Sequence, residues 1–458
     1  MNPGPPDPLT ASDAVKAASP IAPSEDSAAS ITGEVIAASH AHPPRVGRYR
    51  WTICALLFFA TTINYIDRQV FGILAPEMKK IFSWTDADYV GIVFWFEVAY
   101  AIGQLGFGRI LDKIGTRVGF ACAMVFWSLS CMLHAGMATI LGFSIARFLL
   151  GLGESGNFPA SIKVVAEWYP KKERALATGI FNAGSNVGAI AAPLGIPLIY
   201  LTWGWQWAFI LTGGIGFVWL CFWLRAFREP EAHPRLSPQE LAYIRSDGPA
   251  EATTKVPWLS LLPHRQTWAY VIAKFLTDSV WRWYLYLLPL FFSSHFKLDI
   301  KSFGPPFVLI YLLADVGSIG GGWLSSRLIS KGWSVNAGRK TAMLICAVCV
   351  VPVVLATQVP NMWAAVWLVG LAAAAHQGWS ANLYTTASDM FPKRAVGSIV
   401  GLGGMAGALG AMGLLKLTGA ILSKTGSYTT LFVIAGCAYL AALGIMHLLV
   451  PRMEPAKI

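Results

Sequence analysis

Charge is what this chain has least of. Only 13% of its 458 residues are charged, about half the share of a soluble domain, and the mean hydropathy is +0.54. That scarcity excludes an ordinary soluble globule and predicts a polytopic membrane protein. Catalytic signatures are also missing: there is no G-x-S-x-G, no H-E-x-x-H and no phosphate-cradling glycine loop. An enzyme is not expected, and neither is a cofactor or a metal. The seven cysteines all fall inside apolar runs. Cys346 and Cys349 form a C-x-x-C on such a run with no further ligands beside it, which favours packing over redox or zinc chemistry. A net charge of +11 would suit nucleic acid, but its position between apolar runs argues for a bilayer instead.

What the chain does have is long apolar stretches. A membrane span needs about 20 apolar residues, and twelve such runs can be marked at 51–73, 88–108, 118–138, 141–165, 174–200, 206–226, 267–293, 304–327, 340–358, 361–387, 395–421 and 428–450. Basic residues then sort to alternate loops. One side carries Arg109, Lys113 and Arg117, Lys171, Lys172 and Arg174, Arg327 and Lys331, Arg339 and Lys340, and Lys393 and Arg394, with most of the segment 227–265. The other offers Lys79, Lys80, Lys297, Lys301 and Lys424. The positive-inside rule makes the first side cytoplasmic, with both termini there.

Five segments follow. Residues 1–48, rich in Pro, Ala and Ser, are expected to be a disordered cytoplasmic tail. No basic start leads into an apolar stretch, so no signal peptide is expected. Residues 49–228 and 266–452 form two six-helix bundles, joined by a cytoplasmic linker at 229–265 and followed by a short tail at 453–458. The halves echo each other: "YPKKERALATGIFNAGSNVG" after span four resembles "FPKRAVGSIVGLGGMAGALG" after span ten, with Gly184 matching Gly404. Repeated bundles predict a secondary transporter whose binding site lies at mid-membrane between them.

Charges inside the spans are costly, at least about 2.5–3.5 kcal/mol each, so each needs a reason. Asp67 and Arg68 lie roughly 24 Å along span one at 1.5 Å per residue. They diverge by about 100° on the helix, so each needs a partner elsewhere or a watery cavity. In span four Arg147 and Glu154 are seven apart, nearly two turns, and share a face with Gly151 and Gly153 between them. Arg147 stands near enough to the boundary to snorkel, and Glu154 has a static buried ion pair as its structural alternative. Guanidinium forks suit a carboxylate held by two parallel hydrogen bonds. A carboxylate removed from water takes up a proton more readily. Two cations and two acids facing one cavity would therefore link proton binding to anion binding, and the linkage is reciprocal.

Polar residues elsewhere supply hydroxyl partners for the neutral part of a cargo. Tyr65 precedes the Asp–Arg pair, Tyr100 and Gln104 lie one turn apart in span two, and Asn182 and Asn186 do so in span five. His376, Gln377, Trp379 and Asn382 crowd span ten, and Tyr284 and Tyr286 end span seven. Hydrogen bonding between helices is the plain alternative for all of them. Span seven spaces Lys274, Asp278 and Arg282 four apart, either as an internal ladder in which Asp278 satisfies both neighbours or with Arg282 as a second anion site. Asp315 is expected to pair with span seven.

"GRILDKIGTR" (108–117) resembles the loop 2–3 motif of the major facilitator superfamily, with Gly108, Asp112 and Arg117 at its marked positions. With "NYIDR" (64–68), "RFLLGLGESGNFPA" (147–160) and "AHQGWSANLYTTASDMFPKRAVG" (375–397), the chain resembles the anion:cation symporter family, and within it bacterial hexuronate and galactonate transporters, from about residue 50 to 450. The resemblance implies the all-α major facilitator fold of two pseudo-symmetric bundles in a bacterial inner membrane. It also implies a proton-coupled symporter, monomeric, importing a hexuronate or aldonate. Asp67 and Glu154 would carry protons, Arg68 and Arg147 would bind the anion, and Asp112, Arg109 and Arg117 would hold the cytoplasmic ends of the bundles together. Import of a dicarboxylate such as an aldarate is an alternative. So is a drug–proton antiporter on the same fold, although span five reads Gly188-Ala189 where such exporters carry Gly-Pro, and inward arginines suit anions better than cationic drugs.

Overall fold

A computed structural model describes residues 47–247, 258–297, 304–425 and 427–456. All but the last two residues of the expected tail lie outside them, as does the linker stretch 248–257. The described residues form helices and no strands. In the first half these are α1 (Tyr49–Ile73), α2 (Ala75–Phe82), α3 (Asp86–Ile114), α4 (Thr116–Leu133), α5 (Ile140–Glu154), α6 (Asn157–Trp168), α7 (Lys171–Trp203) and α8 (Trp205–Ala226). A short α9 (Pro238–Ile244) lies in the linker. The second half holds α10 (Arg265–Phe296), α11 (Gly304–Ser330), α12 (Val335–Val350), α13 (Met362–Met390), α14 (Lys393–Thr425) and α15 (Thr429–Leu449).

By length and composition, eight of these helices are apolar enough to cross a membrane: α3, α4, α7, α8, α11, α12 with the 3-10 turn that extends it, α14 and α15. The other four span positions belong to α1, the α5–α6 pair, α10 and α13. These are the helices that carry Asp67 and Arg68, Arg147 and Glu154, the Lys274–Arg282 stripe, and the His376–Asn382 cluster. Their polarity is a clue to what they face.

Two expectations need correction. Span four is not one helix: α5 ends at Glu154 and α6 starts at Asn157. Pro159 has no N–H to return to the Ser155 carbonyl, which breaks the ladder at that point. The motif cations Arg109 and Lys113 do not lie in a loop but on the last two turns of α3, which runs on to Gly115 at φ 82°. Only there does a left-handed residue end it. Part of the linker is helical. Glu240 of α9 is buried and accepts the Tyr49 N–H at 3.1 Å and the Arg50 N–H at 3.1 Å. It thus caps the first turn of α1 with a carboxylate, where the helix dipole favours one.

The two halves meet closely at the basic end. A Cβ on Gly108 of α3 would stand 2.4 Å from the Gly397 carbonyl oxygen of α14, and one on Gly401 would stand 2.3 Å from that of Gln104. The repeat produces the same contact between α7 and α11, where Gly179 and Gly322 lie against the Ser318 and Ala175 carbonyls, each at 2.2 Å for an added Cβ. Small residues let backbones touch where no hydrophobic effect drives helices together. Asp389 of α13 accepts Arg174 of α7 at 3.3 Å and Arg339 of α12 at 3.0 Å, tying both halves through one carboxylate. Replacing Gly401 with leucine should wedge this end open. In a background lacking the native cysteines, a cysteine at Ser185 should then be labelled from the basic side by an impermeant maleimide about fivefold faster. An unchanged rate would show that the contact does not hold the closed state.

Candidate functional site

Between the bundles lies a cavity of about 390 Å³, within the range of small-ligand sites. Each wall is a helical stripe. Tyr65, Arg68, Gln69 and Gly72 line it from α1, and Tyr89, Val93, Phe96, Glu97, Tyr100 and Gln104 from α3. Both series follow the three- and four-residue spacing of one helix face. Arg147 enters from α5, and Asn182, Ser185 and Asn186 from α7. Facing them are Lys274, Asp278, Trp281 and Arg282 of α10, Tyr311 of α11, and His376, Gln377, Ser380 and Tyr384 of α13. The floor is a clasp between the halves, in which Asn182 Nδ2 donates to Gln377 Oε1 at 2.6 Å. From there the cavity rises to Gln69 and Gly72 near the end of α1 and Tyr89 in the first turn of α3, at the end opposite the basic loops.

Arg68 is the centre of the first-half wall. Its Nε donates to Glu154 Oε2 at 2.8 Å. Its guanidinium carbon stands over Tyr100 at 4.7 Å, Tyr65 at 4.8 Å and Phe96 at 5.2 Å, an arrangement in which ring faces attract the cation. Arg147 does not snorkel: it is 4% exposed, lies 4.4 Å over Phe71 and donates from both terminal nitrogens to the Arg68 carbonyl at 3.3 and 3.4 Å. Three buried polar atoms here have no hydrogen-bond partner: Arg68 Nη2, Arg147 Nε and Glu154 Oε1. Buried unsatisfied groups are expensive, so two guanidinium donors and one carboxylate acceptor stand here with hydrogen-bonding capacity in hand.

Eight of the expected site residues therefore line one cavity: Tyr65, Arg68, Tyr100, Arg147, Asn182, Arg282, His376 and Gln377. His376 is held in place, with Nδ1 2.6 Å from the Tyr439 hydroxyl and its ring stacked on Trp281 at 4.7 Å. Glu154 stands behind the wall and reaches the cavity only through Arg68. Asp67 does not face it. About 100° round α1 from Arg68, its Oδ1 accepts the Cys131 thiol of α4 at 3.6 Å, and Oδ2 has no partner. Tyr284 packs against Trp283 in the second-half core, Trp379 against Tyr439, and Asn382 spends its amide on the Gly321 and Gly378 carbonyls, each at 2.9 Å. The side chain of Tyr286 lies outside the description.

The other charges are also redistributed. Asp278 pairs with Lys274, but Arg282 crosses to the other bundle and donates to Glu97 at 2.5 Å. Asp315 accepts Asn186 of α7 at 2.8 Å, so it serves span five and not span seven. Asp112 takes Lys163 at 2.7 Å and the Ser398 N–H and hydroxyl at 2.8 and 2.6 Å, joining α3 to α14, whereas Arg117 stays in its own half on the Leu224 carbonyl at 2.7 Å. Glu97 is the residue sequence reasoning missed. A lone acid in "VFWFEVAY", three residues before Tyr100 and seven before Gln104, it carried the same signal as Asp67.

Two pseudo-symmetric helical bundles closed at one end over a cationic cavity define a membrane transporter. The chain belongs to the Major Facilitator Superfamily, whose family model matches residues 57–414. It is 30% identical over 416 residues to the hexuronate transporter of Escherichia coli (strain K12), covering 89% of this chain and 96% of that one. It is 31% identical over 292 residues to the galacturonate transporter of Dickeya chrysanthemi, covering 63% and 84%. It is 27% identical over 432 residues to a probable galactarate/D-glucarate transporter of E. coli (strain K12), covering 89% and 97%. Among solved structures, the proton:xylose symporter XylE shares the fold with a TM-score of 0.68 at 16% identity, over 89% of this chain and 97% of that one.

Removing one partner of a buried ion pair costs about 3–5 kcal/mol. Arg68→Gln should therefore depress the thermal midpoint of the purified protein markedly, and Arg68→Gln with Glu154→Gln should recover most of it. If the double variant were as unstable as the single, the pair would not be what holds this wall.

Proposed function

We propose that the chain is a proton-coupled importer of an organic anion of the sugar-acid class, working by alternating access. The observation that carries this reading is Arg68, aimed into the cavity with one nitrogen clipped to Glu154 and another unpartnered, while the second oxygen of Glu154 is buried without a partner. With Glu154 ionised, the Arg68 charge is already answered. When Glu154 takes a proton, the guanidinium fork is released to a cargo carboxylate, with Arg147 bracing the Arg68 backbone. The hydroxyl and amide groups of Tyr65, Tyr100, Asn182, Gln377 and Ser380 suit the hydroxyls of such a cargo. The names of the relatives support the same class, and the cationic wall speaks against export of cationic drugs.

Electrical cost gives the proton its purpose. Carrying one negative charge into a negative-inside cell costs about 2.3 kcal/mol per 100 mV. One proton cancels that for a monoanion and a second makes uptake favourable. Asp67, buried beside Cys131, is the second candidate carrier, acting from behind the wall. With the basic end in the cytoplasm, as the positive-inside rule requires, the closed end faces inward and the cavity reaches toward the outside, the state that awaits cargo.

Uptake by the full chain in proteoliposomes, using D-glucuronate, D-galacturonate and D-galactonate with and without an inward proton gradient, tests this. The gradient should raise accumulation about tenfold or more, and anion affinity should fall as pH rises, because the proton-bound form is the one that binds. Glu154→Gln imitates that form permanently: binding should become flat with pH, and gradient-driven accumulation should be lost. Uptake indifferent to the gradient, or a Glu154→Gln variant that keeps its pH dependence, would contradict the coupling.

A further inference from the structure

The two arginines that face each other across the cavity are held differently. Arg68 is clipped from behind the wall, within its own bundle. Arg282 is held from within the wall, by Glu97 of the opposite bundle at 2.5 Å. Both guanidinium carbons stand over the same ring, Tyr100, at 4.7 and 5.5 Å, so they can be no further apart than those two distances laid end to end. A six-carbon chain with a carboxyl group at each end, five C–C bonds of about 1.5 Å, spans about 6 Å and has a carboxylate oxygen beyond each terminal carbon. Such a molecule reaches from one arginine to the other past Tyr100.

We propose that Arg282 and Glu97 form a second carboxylate subsite, that the preferred cargo is a dicarboxylic six-carbon sugar acid, and that Glu97 is the residue that sets this preference. The inference rests on the reading of Arg68 as the first anion site. Glu97 presents to Arg282 the same group that the cargo would bring, so it stands in for the second carboxylate while the carrier is empty. Its side chain is 23% exposed, so the water of the open cavity can receive it once it is displaced. A monocarboxylic acid has nothing to exchange for Glu97 and gains nothing from Arg282. A dicarboxylic acid replaces one charge-assisted pair with another of the same kind, and because Arg282 belongs to the opposite bundle it thereby bridges both halves.

The test compares uptake of D-glucarate and D-glucuronate by wild type, Glu97→Gln and the double variant Glu97→Gln/Arg282→Gln in proteoliposomes, with thermal stability read for each protein with and without either acid. The double variant removes both charges of the pair together, which guards against simple misfolding. The wild type should be stabilised more by glucarate than by glucuronate. Glu97→Gln removes the competitor, so the KM for glucarate should fall about threefold or more. The double variant should lower the glucarate-to-glucuronate ratio of kcat/KM about tenfold. Equal changes for both acids in both variants would overturn the second subsite while leaving the anion-transport reading intact. A wild type that neither imports nor is stabilised by either acid would bring down that reading, and this inference with it.

Discussion

The pair between Arg68 and Glu154 is the interaction on which the rest of this structure depends. A guanidinium in a low-dielectric site is tolerable only with a counter-charge, and a carboxylate beside it only with a cation or a proton. Placing one member in the wall and the other behind it makes the pair conditional. The aromatic faces of Tyr65, Phe96 and Tyr100 hold the guanidinium in position whether or not the carboxylate is ionised. Its position is therefore fixed by rings, and its charge is answered from behind by Glu154. The kink at Pro159 contributes by ending α5 at Glu154; in an unbroken helix the α6 segment would continue along a different line.

Much of this was legible before any coordinates, because a bilayer makes charge expensive and so makes each buried charge informative. Arg68, Arg147, Glu154 and Arg282 could be picked out by their cost alone, and the repeat between the halves located the meeting place of the bundles. Rotational position was harder. Asp67 and Arg68 are adjacent in sequence, and nothing in their composition says which of the two faces the cavity; that depends on where α4 and α8 pack. The same blindness put Tyr284, Trp379 and Asn382 in the wall, since polarity marks a helix as inward-facing but does not tell cavity from core. Pairing was harder still. Arg282 has an acid four residues earlier on its own helix, and local spacing favoured Asp278, yet the partner is Glu97, 185 residues away.

The distribution of charge among the helices helps explain how the fold tolerates its own site. Among the described residues, the cavity wall draws charged groups from α1, α3, α5 and α10 and none from α4, α8, α12 or α15. Those last four are apolar enough to span a bilayer by composition and contribute nothing to the cavity lining. The division is what solvation demands: helices between two solvents need two kinds of face, and helices away from the cavity need only one.

The basic end shows how two bundles can be held shut without being welded. Its contacts are glycine against carbonyl, which have no rotamers to repack, and charge pairs that bridge the halves through single acids: Asp112 between Lys163 and Ser398, and Asp389 between Arg174 and Arg339. Each acid keeps a cation of its own half when the halves separate, since Lys163 shares a bundle with Asp112 and Arg339 shares one with Asp389. Opening this end therefore strands neither carboxylate, and the cost of parting is that of the cross-bundle contacts alone. The linker obeys the same economy. Through Glu240, which caps α1, and the 2.8 Å bond from the Tyr243 hydroxyl to Glu173, its first stretch is tied to the first bundle, whereas Leu261 and Leu262 accept from Thr267 and Trp268 of the second.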